Sequence, residues 1–349
     1  MVIPAGTRAW LLVIPLIPSI IVTIFNLYHL LKDQALRTGV NNHFIICLLL
    51  CILIEELTDV VWNIYFNFTQ MTMIATPMFC TIWIFTSSVL IVSIYLLMMW
   101  GAVERYIFIF HSAQFATKMK RFYFHYLPLI LCFLWPLLYY TVLFLIASCT
   151  VQFDYRIRLC NRYSCITRLH WVSLWDSFIH FLLPPFVVVN FSIILLIRVF
   201  YQRYRIRQQI DWRNYKKLVG QLLPISFVYV VIGLPPMSLY AAYAIGLSRS
   251  IAIGYYSDSM FFAYWIVLFT PFATVVSLPD LQTKCKNAIL FWRRRRIVFP
   301  EIMTITRLRH QRRTALPAVC YKITYISFSP FQISFVKLIS IDSFLMYYI

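Results

Sequence analysis

A chain of 349 residues that is 61% hydrophobic and 12% charged carries about half the ~25% charged fraction of a soluble domain, which excludes an ordinary soluble enzyme. Its net charge of +19 would suit a nucleic-acid binder if the chain were soluble. In so apolar a chain the positive charge instead marks the face turned to the cytoplasm, and no nucleic-acid partner is expected.

Windows of ~20 residues, the length that crosses ~30 Å of hydrocarbon, find seven apolar segments. They run from Trp10 to Leu31, Phe44 to Ile64, Thr76 to Trp100, Phe124 to Ala147, Val172 to Val199, Leu218 to Ala244 and Met260 to Leu278. The first follows a single basic residue, Arg8, and outruns the ~7–15 residue core of a signal peptide, so it reads as a span. The composition therefore predicts an all-α membrane protein with a seven-transmembrane helix bundle.

The basic residues orient it. With the amino terminus outside, most of the 31 Lys and Arg residues fall on inner segments. These include Lys32 and Arg37, then Arg105 to Arg121, then Arg198 to Lys217, then the tail from Lys284. Only Arg8, Arg156, Arg158, Arg162, Arg168 and Arg249 remain outside. The positive-inside rule favours this topology. It predicts a short extracellular segment at 1–9, the seven-span body at 10–278, an amphipathic and basic stretch at 279–296, and a cytoplasmic tail at 297–349 expected to be poorly ordered. Pro330 interrupts the most apolar part of that tail, so no eighth span is predicted there.

Two features agree with the orientation. Asn67-Phe68-Thr69 is an N-glycosylation pattern on an outer segment; Asn190-Phe191-Ser192 lies inside a span, where it would not be modified. Cys80, Cys149, Cys160 and Cys165 share the outer, oxidising face. Four cysteines allow three pairings, and the expected bridge ties Cys80 to either Cys160 or Cys165. Cys47, Cys51 and Cys132 read as small apolar residues within spans.

Cys80 opens the third span and Glu104-Arg105-Tyr106 closes it. In that placement the chain resembles the rhodopsin-like (class A) G-protein-coupled receptors, in a divergent form of the kind seen in expanded invertebrate families. An ionised arginine at the hydrocarbon boundary costs ~2.5 kcal/mol or more unless paired, so Glu104 is expected to hold Arg105 in the resting bundle. The resemblance implies that Arg105, once released, helps form the pocket for the carboxyl-terminal helix of a heterotrimeric G protein.

The resemblance extends by position. Asn26 matches the first-span asparagine that ties neighbouring helices, and Trp135 and Pro136 the fourth-span pair. Pro184 or Pro185, Pro235 and Pro271 match the hinge prolines of the fifth, sixth and seventh spans. Ser277-Leu278-Pro279-Asp280 reads as an N-cap-like start. Leu281, Cys285, Ile289 and Leu290 then suggest the family's short amphipathic eighth helix on the inner leaflet. Cys285 is a palmitoylation candidate or a plain interfacial cysteine, and Arg293 to Arg296 would favour anionic lipid at about 1 kcal/mol per charge.

Departures are as informative. Ile232-Gly233-Leu234-Pro235 replaces the family's Cys-Trp-x-Pro, with Gly233 where the switching tryptophan belongs. Thr270-Pro271-Phe272-Ala273-Thr274 replaces Asn-Pro-x-x-Tyr, and Ile52 replaces the second-span aspartate. The usual sodium pocket is thereby lost, with Glu55 a partial substitute one turn away.

Glu55, Glu56 and Asp59 place three acids in one span, where intramembrane charge defaults to a functional role. They cannot all be ionised cheaply in one water-poor space. A ligand-contacting or bundle-bracing role is preferred; the alternative is an ion path, as in a membrane transporter or channel.

Absences narrow the ligand. Ser87 stands where the family's amine receptors carry a third-span aspartate, so an amine ligand is not expected. No lysine lies between Lys217 and Lys284, which removes retinal chemistry. No G-x-x-x-x-G-K loop, His-Glu-x-x-His pair or triad-like arrangement is present, so neither enzymatic activity nor a cofactor or metal is expected. Trp83, Ser87, Ser88, Ile91, Asp176, Tyr240, Tyr264 and Trp265 could line an outer pocket together with Glu56 and Asp59. The loop carrying Asp154, Arg156, Arg158, Arg162 and Arg168 is basic, which suits a carboxylate-bearing ligand such as a peptide. The expected protein is a plasma-membrane receptor for an extracellular peptide or small chemical. With Lys216 and Lys217, and no acid, opening the sixth span, restraint of Arg105 should be weak and ligand-independent signalling appreciable.

Overall fold

The computed structural model describes residues 3–111, 115, 117–146, 153–161, 169–205, 226–248, 250–278, 281–287 and 290. The chain divides into two units, Met1–Ala288 and Ile289–Ile349, a boundary between the expected ones at 278 and 296. Only Leu290 of the second unit is described. The Arg293 to Arg296 cluster and the tail at 297–349 therefore lie outside the described residues. So do Cys149, Cys165, Lys216 and Lys217.

No strand occurs among the described residues. Six of their helices are long and apolar enough to cross a membrane: Ala5–Lys32, Pro77–Phe110, Lys118–Phe144, His170–Arg198, Ser226–Ile245 and Ile253–Ser277. A further helical run occupies residues 40–69 as Val40–Glu55, Glu56–Val60 and Val61–Thr69. It holds all three acids of the second apolar segment. In chain order these are called the first to seventh helices, the run at 40–69 being the second. The protein is thus a multi-pass membrane protein in its helices.

Helix ends follow local chemistry. Thr76 caps the third helix by accepting the Phe79 N–H at 3.3 Å, with Pro77 in the first turn, where its missing N–H costs nothing. At 34 residues that helix is about 51 Å long, beyond the ~30 Å hydrocarbon core, so Glu104 and Arg105 reach its far edge. Gly246, at φ +118°, ends the sixth helix, a conformation open to glycine without a side-chain clash.

Four widened, π-type turns interrupt the helices: Glu56–Val60, Phe122–Tyr126, Asp176–Leu182 and Tyr229–Gly233. In the last three a proline follows two residues after the turn, as Pro128, Pro184 and Pro235. Proline lacks an N–H and collides with the carbonyl one turn back, and a local π turn relieves both within a membrane helix. The expected hinges at Pro184 and Pro235 are therefore widened turns. Pro271 lies inside a helix instead, where its carbonyl accepts the Asn26 amide at 2.9 Å, tying the first helix to the seventh as the family pattern implies. Each widened turn also buries polar or aromatic groups: Glu56 and Asp59, His125, Asp176 and His180, and Tyr229.

The packed interior is aliphatic and aromatic, with Leu48, Ile52, Leu97, Met98, Ile266 and Val267 fully enclosed. Ile14, Ile17, Ile21 and Ile24 are each more than half exposed along one side of the first helix. A soluble protein does not leave such a stripe to water; here it is the lipid-facing side.

Contacts divide the body into two ends. At one, Arg8 pairs with Asp258 at 2.7 Å and the Thr72 N–H donates to the Tyr155 carbonyl at 2.9 Å. At the other, Lys284 pairs with Asp33 at 2.8 Å, fixing the short helix at 281–287, whose Leu281 is buried. Ser277 ends the preceding helix, its hydroxyl donating to the Thr274 carbonyl; Pro279 and Asp280 of the expected N-cap lie outside the described residues. Cys285 is half-buried, and burial pushes its thiol pKa up.

Candidate functional site

At the first end a loop folds over the helices. Cys160 is joined to Cys80 by a disulfide with Cα atoms 5.8 Å apart, which decides between the two expected partners. Leu159 and Cys160 both take left-handed conformations, φ +56° and +53°. Non-glycine residues adopt these only when the surroundings impose them. The turn directs Arg158 into the bundle, where its guanidinium donates to the Tyr264 hydroxyl and lies 5.1 Å from that ring's centre. Burial disfavours its charge, but Tyr264, Asp59, Tyr256 and Glu55 outweigh that and raise its pKa.

Beneath the loop is a cavity of about 610 Å³, within the usual range for small-ligand sites. Asp59, Ser87, Ser88, Ile91, Tyr240 and Tyr264 of the expected pocket line it, joined by Arg8, Glu55, Asn63, Tyr95 and Arg158. Asp59 is the hub. It accepts hydrogen bonds from the Trp83 indole at 2.5 Å, the Asn63 amide at 3.0 Å and the Tyr264 hydroxyl at 2.7 Å. Tyr264 in turn accepts from Asn63 at 2.9 Å and from Arg158. The second, third and seventh helices thus converge on one carboxylate, with the loop's Arg158 behind Tyr264. Glu55, one turn from Asp59 and 1% exposed, lines the same cavity and leaves Oε2 without a hydrogen-bond partner among the described residues.

Other expected pocket residues sit elsewhere. Trp83 is enclosed and reaches the site only through its bond to Asp59. Glu56 points toward the first helix, accepting from the Ser19 and Thr23 hydroxyls. Ser19 also donates to the Leu268 carbonyl at 2.8 Å, so Glu56 braces the first helix against the seventh. Asp176 joins a network between the fourth and fifth helices, accepting from Tyr140 at 2.7 Å and contacting His180 at 2.8 Å. The Trp135 indole donates to the other nitrogen of His180 at 3.0 Å. Trp265 packs against Phe262 and Phe269 rather than on the cavity. Asn67 lies in the last turn of the second helix, its amide donating to the Asn63 carbonyl at 2.8 Å.

Below the cavity Gly233 leaves room on the sixth helix that a side chain from the third helix occupies. A Cβ on Gly233 would meet the Tyr95 hydroxyl at 3.2 Å and Ile266 at 3.1 Å. Tyr95 fills the space, edge-on to Phe181 and Tyr229, each 5.9 Å away between ring centres.

At the opposite end the expected Glu104–Arg105 pair does not form. Glu104 bonds His125 Nδ1 on the fourth helix. His125 Nε2 meets His43 Nδ1 at 2.9 Å, and His43 Nε2 meets the Arg37 carbonyl at 3.0 Å. That carbonyl only accepts, so His43 Nε2 donates. With a neutral His43, His125 Nε2 donates onward, and one proton lies between His125 and Glu104. A histidine from another helix has taken the acid.

Arg105 is left 2% exposed, with none of its three guanidinium nitrogens hydrogen-bonded among the described residues. Its charge rests over the Phe44 ring at 5.0 Å, a ring that passes so close to Gly101 that a Cβ there would meet it at 2.8 Å. A desolvated cation–π contact offers about 2 kcal/mol, less than the several kcal/mol that burying a charge costs. Tyr106 faces away, accepting from Arg198 at 2.5 Å.

Sequence reasoning missed His125, His43 and Tyr95, which carried no spacing signal. Arg158 showed only as part of a basic loop. Compared with known proteins, the chain matches no protein-family model and no curated protein sequence.

Proposed function

We propose that the protein is a seven-span receptor of the rhodopsin-like, G-protein-coupled kind. It sits in the plasma membrane with its amino terminus outside and its carboxyl terminus in the cytoplasm. The second helix is then a span despite its three acids, and the helix at 281–287 begins the amphipathic eighth helix. The cavity takes an extracellular peptide or small chemical, retinal being excluded by the missing lysine. Arg105, in Glu104-Arg105-Tyr106, meets a heterotrimeric G protein.

One observation carries the reading. The third helix bears at one end the cysteine that tethers a loop over a ligand-sized cavity, and at the other a buried arginine with no hydrogen-bond partner. A charge so poorly satisfied is stabilised by any arrangement that supplies an acceptor. Ligand-driven helix movement that opens Arg105 to a partner is therefore favoured on that side of the balance. G-protein activation in cells expressing the chain, with Arg105→Ala as control, tests it.

The second reading, a transporter or channel, draws on Glu55 and Asp59 beside the cavity at a widened turn. Ionic currents or solute uptake that appear with expression and vanish in Glu55→Gln, without G-protein activation, would favour it.

A further inference from the structure

The acids of the cavity are unevenly satisfied. Asp59 receives three hydrogen bonds from Trp83, Asn63 and Tyr264. Two carboxyls one turn apart in a water-poor space are not both ionised cheaply, and Glu55, whose Oε2 has no partner among the described residues, is the one that keeps a proton. The other groups around Glu55 are Cys51 on its own helix, Arg158 from the loop and Tyr264 from the seventh helix. Tyr95 of the third helix lines the same cavity. With Glu55 protonated, Asp59 and Arg158 balance each other. Arg8, the other arginine on the lining, is paired with Asp258 at 2.7 Å.

An anionic ligand would thus find Arg8 already paired with Asp258 and Arg158 already donating to Tyr264, each with only its Nε left without a partner among the described residues. A cation finds Glu55, whose Oε2 is buried and without a partner, and whose proton it can replace without changing the net charge. Leu12, Ile91, Phe181, Met237 and Met260 supply apolar walls.

We propose that the cavity binds a ligand with one positive group, an ammonium or guanidinium on an apolar body, anchored on the Glu55 carboxyl. On binding, Glu55 releases its proton to water and the ligand's cation takes its place. Arg158 already presents such a group from the loop side, to the Tyr264 hydroxyl that donates to Asp59. This departs from the expectation, drawn from Ser87, that no amine is bound: the acid stands on the second helix instead of the third. The inference rests on the receptor reading only for its consequence, not for its test.

Three size-matched probes decide it: phenethylammonium, 2-phenylethanol and 3-phenylpropanoate, each titrated at millimolar concentration against the purified full-length protein in lipid nanodiscs, with melting temperature as readout. Phenethylammonium alone should raise the melting temperature. Its affinity should rise with pH by up to about tenfold per unit while Glu55 gives up its proton. Glu55→Gln should weaken it by about tenfold or more and remove the pH dependence. Arg158→Gln alters a loop residue, so it keeps the test open if the Glu55 variant does not fold. Removing that competing cation should strengthen phenethylammonium binding several-fold. Equal binding of the alcohol, preferential binding of the carboxylate, no binding of any probe, or weaker phenethylammonium binding by Arg158→Gln overturns the inference. G-protein activation by ligands lacking a positive group would overturn it and leave the receptor reading standing; cation binding with no G-protein activation would do the reverse.

Discussion

The two ends of the third helix treat buried charge in opposite ways. Near Cys80, Asp59 collects donors from the second, third and seventh helices, with Arg158 behind Tyr264. Near the other end, Arg105 lies just as deep without a hydrogen bond, while its neighbour Glu104 is held by His125. A fully bonded buried network fixes one arrangement; an unsatisfied buried charge favours whichever arrangement satisfies it. The Cys80 end is thus built to hold its shape around a cavity; on the proposed function, the Arg105 end is the one that changes shape when a G protein arrives.

Four substitutions would sharpen or break that contrast. Asp59→Ala removes the common acceptor of Trp83, Asn63 and Tyr264 and strands Arg158. Thermal unfolding in nanodiscs should show the largest loss, about 3–5 kcal/mol; a loss below about 1 kcal/mol would mean the network does not brace the bundle. Cys160→Ser opens a bridge spanning a sequence separation of 80, and should cost about 2–5 kcal/mol and abolish binding in the cavity; unchanged melting would show the loop is held by other contacts. Glu104→Gln cannot carry the carboxylate's charge opposite His125. The looser tie between the third and fourth helices should raise ligand-independent signalling several-fold, a shift of about 1 kcal/mol, at matched surface expression. A fall in basal signal would place Glu104 on the active side of the balance instead. Lys284→Ala breaks a half-exposed pair with Asp33 and should change stability by less than about 1 kcal/mol, a larger change implying that the helix at 281–287 anchors the body.

The helices were legible in the sequence because lipid imposes long apolar runs, and the first, third and seventh fall where hydropathy puts them. The second was legible as a helix too, although it carries three acids. The widened turns were half legible: Pro184 and Pro235 marked the places, but a π turn depends on whether the neighbours accept the displaced carbonyls. The inward course of Arg158 was not, because it depends on left-handed backbone at Leu159 and Cys160, residue types without that preference. Glu104 was misjudged because adjacency to Arg105 is plain in a sequence, whereas His125 reaches Glu104 only through the packing of the fourth helix on the third. Gly233 announced a missing tryptophan without saying that Tyr95 would fill its place.

The central claim is that Arg105 is a buried charge awaiting a G protein. It is tested most directly by measuring G-protein activation in cells expressing the full chain or Arg105→Ala, at equal surface expression. The account predicts a basal signal above mock-transfected cells that Arg105→Ala reduces to the mock level. A wild-type signal indistinguishable from mock, or an Arg105→Ala signal equal to wild type, would contradict it.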